Sequence, residues 1–180
     1  MPILSDILRL LIETAAALLG VTLLLRVFIN WVGLPGRNPV AQFVLALTDW
    51  MVRPLRKLIP AAGRLDTASL LGAYFVAVLS ILLVQLLFTS AVAWDRAAFG
   101  GMLRLVQWTL NGLFWLTVLY ALLSWINPHA PIAPAIGMLM RPFLAPFRRF
   151  IPLVGGVDLS PMAFILVIFI LKQVVDSVTF

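Results

Sequence analysis

The chain has 180 residues, of which 63% are hydrophobic and only 11% charged, with a mean hydropathy of +1.09. Ordinary soluble domains are about 45–50% apolar and about 25% charged, so charges this sparse leave too much apolar surface to cover in water. The absence of cysteine excludes disulfides, thiolate metal sites, iron–sulfur clusters and cysteine nucleophiles, and a lone histidine, His129, excludes a histidine-rich metal site within one chain.

A bilayer crossing takes about 20 mostly apolar residues. The first such stretch is 7–29, although Arg9, Glu13 and Arg26 fall inside it. No basic segment or convincing cleavage site goes with it, which predicts a retained helix rather than a signal peptide. In 40–58, Val40, Phe43, Val44, Leu47, Met51, Leu55 and Leu58 recur at the helical period, opposite Gln42, Asp49, Arg53 and Arg56. This pattern predicts an amphipathic helix in the membrane interface, bent or restarted at Pro54; a shallow re-entrant turn is the competing geometry. The next crossing, 67–94, runs 28 residues without a charge, and 106–126 is another uncharged span. Residues 132–150 form a second amphipathic stretch, with Arg141, Arg148 and Arg149 on its polar face and breaks at Pro134, Pro142 and Pro146. The last crossing, 161–180, is interrupted by Lys172 and Asp176, so its final turn either reaches the headgroups or barely crosses. The expected fold is an all-α polytopic membrane protein with about four transmembrane helices.

The chain repeats itself. Pro54-Leu-Arg-Lys-Leu-Ile-Pro-Ala-Ala-Gly-Arg-Leu-Asp66 aligns without gaps on Pro146-Phe-Arg-Arg-Phe-Ile-Pro-Leu-Val-Gly-Gly-Val-Asp158, at an offset of 92 and with six identities in thirteen. The register extends back through Leu47/Leu139, Ala41/Ala133 and Pro39/Pro131, and a two-residue difference in the turn then brings Trp31 onto Trp125. Two units follow, 1–94 and 95–180, each with two spans around one interfacial amphipathic helix. Two crossings return the chain to its starting side, so the copies are tandem parallel repeats rather than inverted ones. The two long connections hold eight of the thirteen basic residues and the opposite side four, with Arg26 inside a helix near the basic side. The positive-inside rule places the basic connections in the cytoplasm, both termini outside, and Trp31 and Trp125 at the cytoplasmic interface.

Several residues invite functional readings. Asp66 and Asp158 stand just ahead of apolar helices, where a carboxylate accepts backbone N–H bonds and opposes the helix dipole. Ser160 with Pro161 offers an alternative start in the second copy. Each aspartate is also placed to pair with Arg56 or Arg148 of its own repeat, pinning the amphipathic helix to the span; metal or proton chemistry is the remaining reading. Gly63 and Gly155 suit turns with positive φ, and Pro60 and Pro152 end the preceding helices. Arg53, Arg56, Lys57, Arg148 and Arg149 read as topology determinants and phosphate anchors, or as a docking site for a specific lipid or partner. Glu13 is an acid within a span, a functional candidate by default, with Arg9 one turn away as a local ion-pair partner. Arg26 is expected to snorkel to the interface. Gln85, Thr109 and Asn111 suit interhelical hydrogen bonds or a polar path, and His129, after Asn127-Pro128, an interfacial turn.

The doubled P-x-R-[RK]-x-I-P-x-x-G-x-x-D segment, preceded by a helix ending in Arg26-Val-Phe-Ile-Asn-Trp31, resembles the YggT (YlmG/YggT) family of small membrane proteins. The likeness covers Leu23 to Tyr74 and Tyr120 to Ile170, with Tyr120 standing where the second copy would carry the counterpart of Arg26. It implies a multi-pass inner-membrane protein with no established enzymatic activity. Its relatives are linked variously to osmotic or salt stress, to envelope or division organisation, and to cytochrome assembly in plastids. The residues themselves present no nucleophile–base set, phosphate loop or metal-ligand spacing, so no enzyme, cofactor or metal is expected. The expected partners are the bilayer and its anionic headgroups, with a membrane protein partner or a homo-oligomer possible and nucleic acid discounted. Two function classes follow: a membrane scaffold or assembly factor, or a small oligomeric ion transporter or channel in K⁺ or osmotic homeostasis.

Overall fold

A computed structural model describes residues 2–60, 63–89, 92–151 and 158–178. All regular elements among them are helices: α1 Pro2–Val32, α2 Pro39–Leu58, α3 Thr67–Phe88, α4 Trp94–Ile126, α5 Ala133–Phe150 and α6 Ser160–Val178. Four of them, α1, α3, α4 and α6, are long and apolar enough to cross a membrane. The expectations for Pro152 and Gly155 lie outside the described residues.

The span boundaries differ from those predicted. The third helix ends at Phe88 rather than 94, with the Thr89 N–H closing on the Gln85 carbonyl. The fourth begins at Trp94, twelve residues before the uncharged run, because Asp95, Arg96 and Arg104 depress hydropathy without obstructing helix geometry. The prolines of the amphipathic stretches do not break them. Pro54 lies inside a continuous α2, and Pro142 and Pro146 inside a continuous α5. All three are exposed, so each ring faces outward, away from the packed side.

Packing follows residue size. Small residues on α3, namely Ala68, Ser69, Gly72, Ala73 and Ala77, are buried and let the backbone of α1 approach, with Leu23 and Leu24 filling the contact. A second core joins Ile29 of α1 and Val44 of α2 to Leu139, Met140 and Leu144 of α5 and Phe164 and Ile168 of α6. Phe143 ties these elements together, meeting Phe28 edge-on at 5.7 Å and stacking on Phe164 at 5.8 Å. The helices α2 and α5 are each packed on the longer helices by one face, Val44, Thr48 and Val52 in α2 and Ile136, Met140 and Leu144 in α5.

Candidate functional site: two ion-pair centres at the ends of the spans

The first centre gathers where α1, α2 and α3 meet. Asn38 starts α2 by accepting the Val40 N–H at 2.9 Å, and Pro39 follows in the first helical turn. Arg56 and Lys57 fall in the last turn, where the helix dipole favours cations. The chain then turns through Gly63, whose φ of 62° lies in the left-handed region, and reaches Asp66.

Asp66 both caps a helix and forms ion pairs. Its Oδ1 accepts the Ser69 N–H at 3.3 Å as the cap of α3, while its Oδ2 accepts Arg56 at 2.5 Å, Ser69 Oγ at 2.7 Å and Asn30 Nδ2 at 2.9 Å. Arg26 Nε adds an ionic contact at 3.4 Å. Burial alone would push this carboxyl up. The Arg56 guanidinium and the Ser69 donors outweigh it and hold the group below the ordinary aspartate range.

Arg26 does not snorkel. Its residue is 2% exposed, and the guanidinium Nη1 donates to Thr48 Oγ1 at 2.7 Å and to Asp49 Oδ1 at 2.8 Å. Arg53 closes on the other Asp49 oxygen at 2.7 Å. Burial raises the Asp49 carboxyl, but Arg26 and then Arg53 bring it below its ordinary value. Two carboxylates and a hydroxyl offset much of the water this deep guanidinium lost, although its Nε makes no hydrogen bond and meets Asp66 only as an ionic contact. Thr48 and Asp49 were not singled out as its partners by sequence reasoning. The available signal was an arginine inside a span with an aspartate on the polar face of the next helix.

The second centre is simpler. Arg148 Nε donates to Asp158 Oδ2 at 2.9 Å, and its Nη2 stands 2.8 Å from the same oxygen. The guanidinium also donates to the Tyr120 hydroxyl and lies 5.6 Å from the centre of that ring. Asp158 Oδ1 accepts the Ser160 N–H at 2.9 Å, starting α6. Burial would raise the Asp158 carboxyl; the Ser160 donors and Arg148 lower it below its ordinary value. Burial acts oppositely on Arg148, yet Asp158 and Tyr120 raise its guanidinium above the ordinary arginine value. Asp66 is thus the hub of the first centre, whereas Arg148 is the hub of the second. Tyr120, in the place of Arg26, supplies an acceptor for Arg148 instead of a second cation.

The remaining candidates divide. Arg53, Lys57 and Arg149 are exposed, as are the apolar side chains of Phe43, Trp50, Leu58 and Phe150. Trp31 and Trp125 are exposed near the ends of α1 and α4. Glu13 pairs with Arg9 at 3.2 Å but also with Arg104 of α4 at 3.3 Å, so the pair is interhelical as well as local. Asn111 accepts Lys172 at 2.7 Å and Gln107 donates to Asp176 at 3.0 Å, joining α4 to α6. Gln85 accepts the Ala93 N–H at 3.0 Å in the α3–α4 turn, and the Thr109 hydroxyl donates to its own helix. His129 lies in a turn between α4 and α5.

These features define a class: a protein whose described residues form six helices, four of them long and apolar enough to cross a membrane and the other two, α2 and α5, tied by ion pairs to the ends of those four. The CCB3/YggT family model matches the chain twice, over residues 5–87 and 99–179. Uncharacterized protein YggT of Escherichia coli K12 is 34% identical over 170 residues, covering 93% of this chain and 88% of the relative. A Vibrio alginolyticus protein, described as an uncharacterized protein in the proC 3′ region, is 34% identical over 163 residues, covering 89% and 86%. Uncharacterized protein PA0392 of Pseudomonas aeruginosa is 30% identical over 163 residues, covering 84% and 79%. No solved structure matches. The chain belongs to the CCB3/YggT family.

Proposed function

We propose that this protein is a non-catalytic scaffold or assembly factor of the inner membrane, acting in envelope organisation or osmotic tolerance. It consists of two tandem parallel units, 1–94 and 95–180, whose amphipathic helices α2 and α5 lie in the cytoplasmic interface, with both termini outside. The observation that carries this reading is the three-sided character of α2. One side packs on the spans through Val44, Thr48 and Val52. A second, Phe43, Leu47, Trp50, Pro54 and Leu58, is exposed and apolar at spacings of three and four residues. The third carries Arg53 and Lys57. A helix in the plane of a bilayer surface needs protein, hydrocarbon and headgroups in that arrangement. The excess of basic residues on this side supports the cytoplasmic assignment.

Arg56 and Arg148 hold the helices in place; Arg53, although paired with Asp49, keeps 76% of its side chain exposed, and with Lys57 and Arg149 it supplies the contacts for anionic lipid or a protein partner. Each is worth about 1 kcal/mol near an anionic surface. A triple replacement with glutamine leaves both ion-pair centres their main partners. It is expected to abolish rescue of osmotic or salt tolerance in cells lacking the native copy, with the protein still inserted at normal abundance. Full rescue rejects the proposal. The channel reading is tested in liposomes by K⁺ and Na⁺ flux. Protein-dependent flux well above empty vesicles favours it over the scaffold, against which stands the internal pairing of Glu13, Arg104, Asn111 and Lys172.

A further inference from the structure

The helices α2 and α5 differ most on their outward sides. At the offset of 92 that aligns the two halves, Arg141 of α5 stands where α2 carries Asp49, and Ala145 where it carries Arg53. In the first centre Asp49 takes up Arg26 at 2.8 Å and Arg53 at 2.7 Å. Its place in α5 is held by a cation instead. No acid stands between Asp95 and Asp158, and Asp158 is engaged by Arg148 at 2.8 Å. Among the described residues, the exposed guanidiniums of Arg141 and Arg149 meet no carboxylate.

The setting of the two helices differs as well. α5 packs chiefly on α1, α4 and α6, burying Ala135, Ile136, Leu139, Met140 and Leu144. At about 100° per residue, Arg141 and Arg149 flank the line opposite that buried set, with Ala145 between them, and they stand about 12 Å apart along the axis. Apart from Met138 and the terminal Phe150, no large apolar side chain of α5 is exposed, whereas α2 exposes Phe43, Leu47 and Trp50. A helix that sinks into lipid needs a free apolar side. That of α2 is free. That of α5 is taken up by the longer helices, so its two arginines look away from hydrocarbon.

We propose that the outward strip of α5, centred on Arg141 and Arg149, docks an acidic helical segment of a partner protein, while α2 keeps to the lipid. The partner supplies the carboxylates that α5 lacks. A guanidinium fork binds a carboxylate through two hydrogen bonds at once, and carboxylates seven or eight residues apart on a facing helix match the arginine spacing at about 10–12 Å. Ala145 on the line between the arginines is small, which lets the facing helix come close. This rests on the reading above of the exposed basic residues as contacts, and divides them between lipid at α2 and protein at α5.

The test places a photoreactive benzophenone side chain at Met138 or at Trp50 of the full chain in cells, and analyses the adducts formed on illumination. At Met138 a discrete protein adduct is expected, whose cross-linked segment, sequenced by mass spectrometry, carries carboxylates at about that spacing. Its yield should fall by about tenfold or more on replacing Arg141→Glu with Arg149→Glu, since like charges then face each other. It should be unchanged on replacing Arg53→Gln with Lys57→Gln. If the charge reversal prevents insertion, the milder Arg141→Gln with Arg149→Gln should still lower the yield severalfold. At Trp50 the adducts should be to lipid. Lipid alone at Met138, a partner segment without acids, an adduct indifferent to both arginine pairs' replacement, or the same protein adduct at both positions overturns the proposal. The scaffold reading fails on a different result, full rescue by the triple glutamine variant, and lipid alone at Met138 leaves it standing.

Discussion

The carboxylate of Asp66 is nearly inaccessible and meets Arg26, Arg56, Asn30 and Ser69, whereas the side chain of Asp158 is 13% exposed and meets Arg148, itself 41% exposed. Removing one partner of a buried pair costs about 3–5 kcal/mol, because the other charge stays buried without compensation. Exposed pairs are worth about 1 kcal/mol or less. Asp66→Asn is therefore expected to destabilise the protein several times more than Asp158→Asn, measured by thermal unfolding in detergent; equal losses would contradict the hub assignment. Acid should act the same way. Asp49, Asp66 and Asp158 all have depressed values in the fold, so the unfolded chain takes up protons first as pH falls. Their contribution is complete above the unfolded aspartate value of about 3.9 and disappears as pH drops through the lower folded values. A melting temperature flat from pH 8 to 5 and declining below 4 is expected; a decline centred near pH 6 would implicate other groups. The Arg56–Asp66 and Arg148–Asp158 pairs were legible in the sequence because one short motif contains both partners. The role of Arg26 was not, since its partners lie more than twenty residues away and meet it only through the packing of α1 on α2 and α3.

At the scale of elements, periodicity located α2 and α5 to within a residue of their ends, because their apolar residues recur at the helical period. Proline was over-read as a breaker. A ring on the exposed side removes one hydrogen bond without driving anything into the core, and α2 is continuous through Pro54. Pro54→Ala should accordingly preserve insertion and raise the melting temperature, whereas a functional bend would show as loss of stability or of rescue. Contact between α1 and α4 depends on Gly20, where a Cβ would stand 2.0 Å from the Trp108 ring. Trp108 is largely buried, so it cannot simply swing away. Overpacking of this kind costs about 1–3 kcal/mol, and Gly20→Ala should lower the melting temperature, partly recovered by Trp108→Leu. No hydropathy window announces such a position; it requires knowing which helix lies opposite.

For the whole molecule, composition and four apolar runs were enough to read a helical membrane protein, because a bilayer admits few alternatives. Span lengths were less legible. The described α1 and α4 have 31 and 33 residues, about 46 and 50 Å at the helical rise, and both exceed the hydrocarbon core. Charged residues near their starts, such as Asp6 and Asp95, hid that extra length from a hydropathy reading. The central claim is that α2 and α5 share one face of the membrane as the connecting helices of two parallel units. The chain contains no cysteine, so single substitutions can be labelled without background. In intact and permeabilised cells, Lys57→Cys and Arg149→Cys should both react with an impermeant maleimide only after the cytoplasm is opened, and Asp95→Cys without opening it. Reaction of the first two from opposite sides would contradict the parallel arrangement.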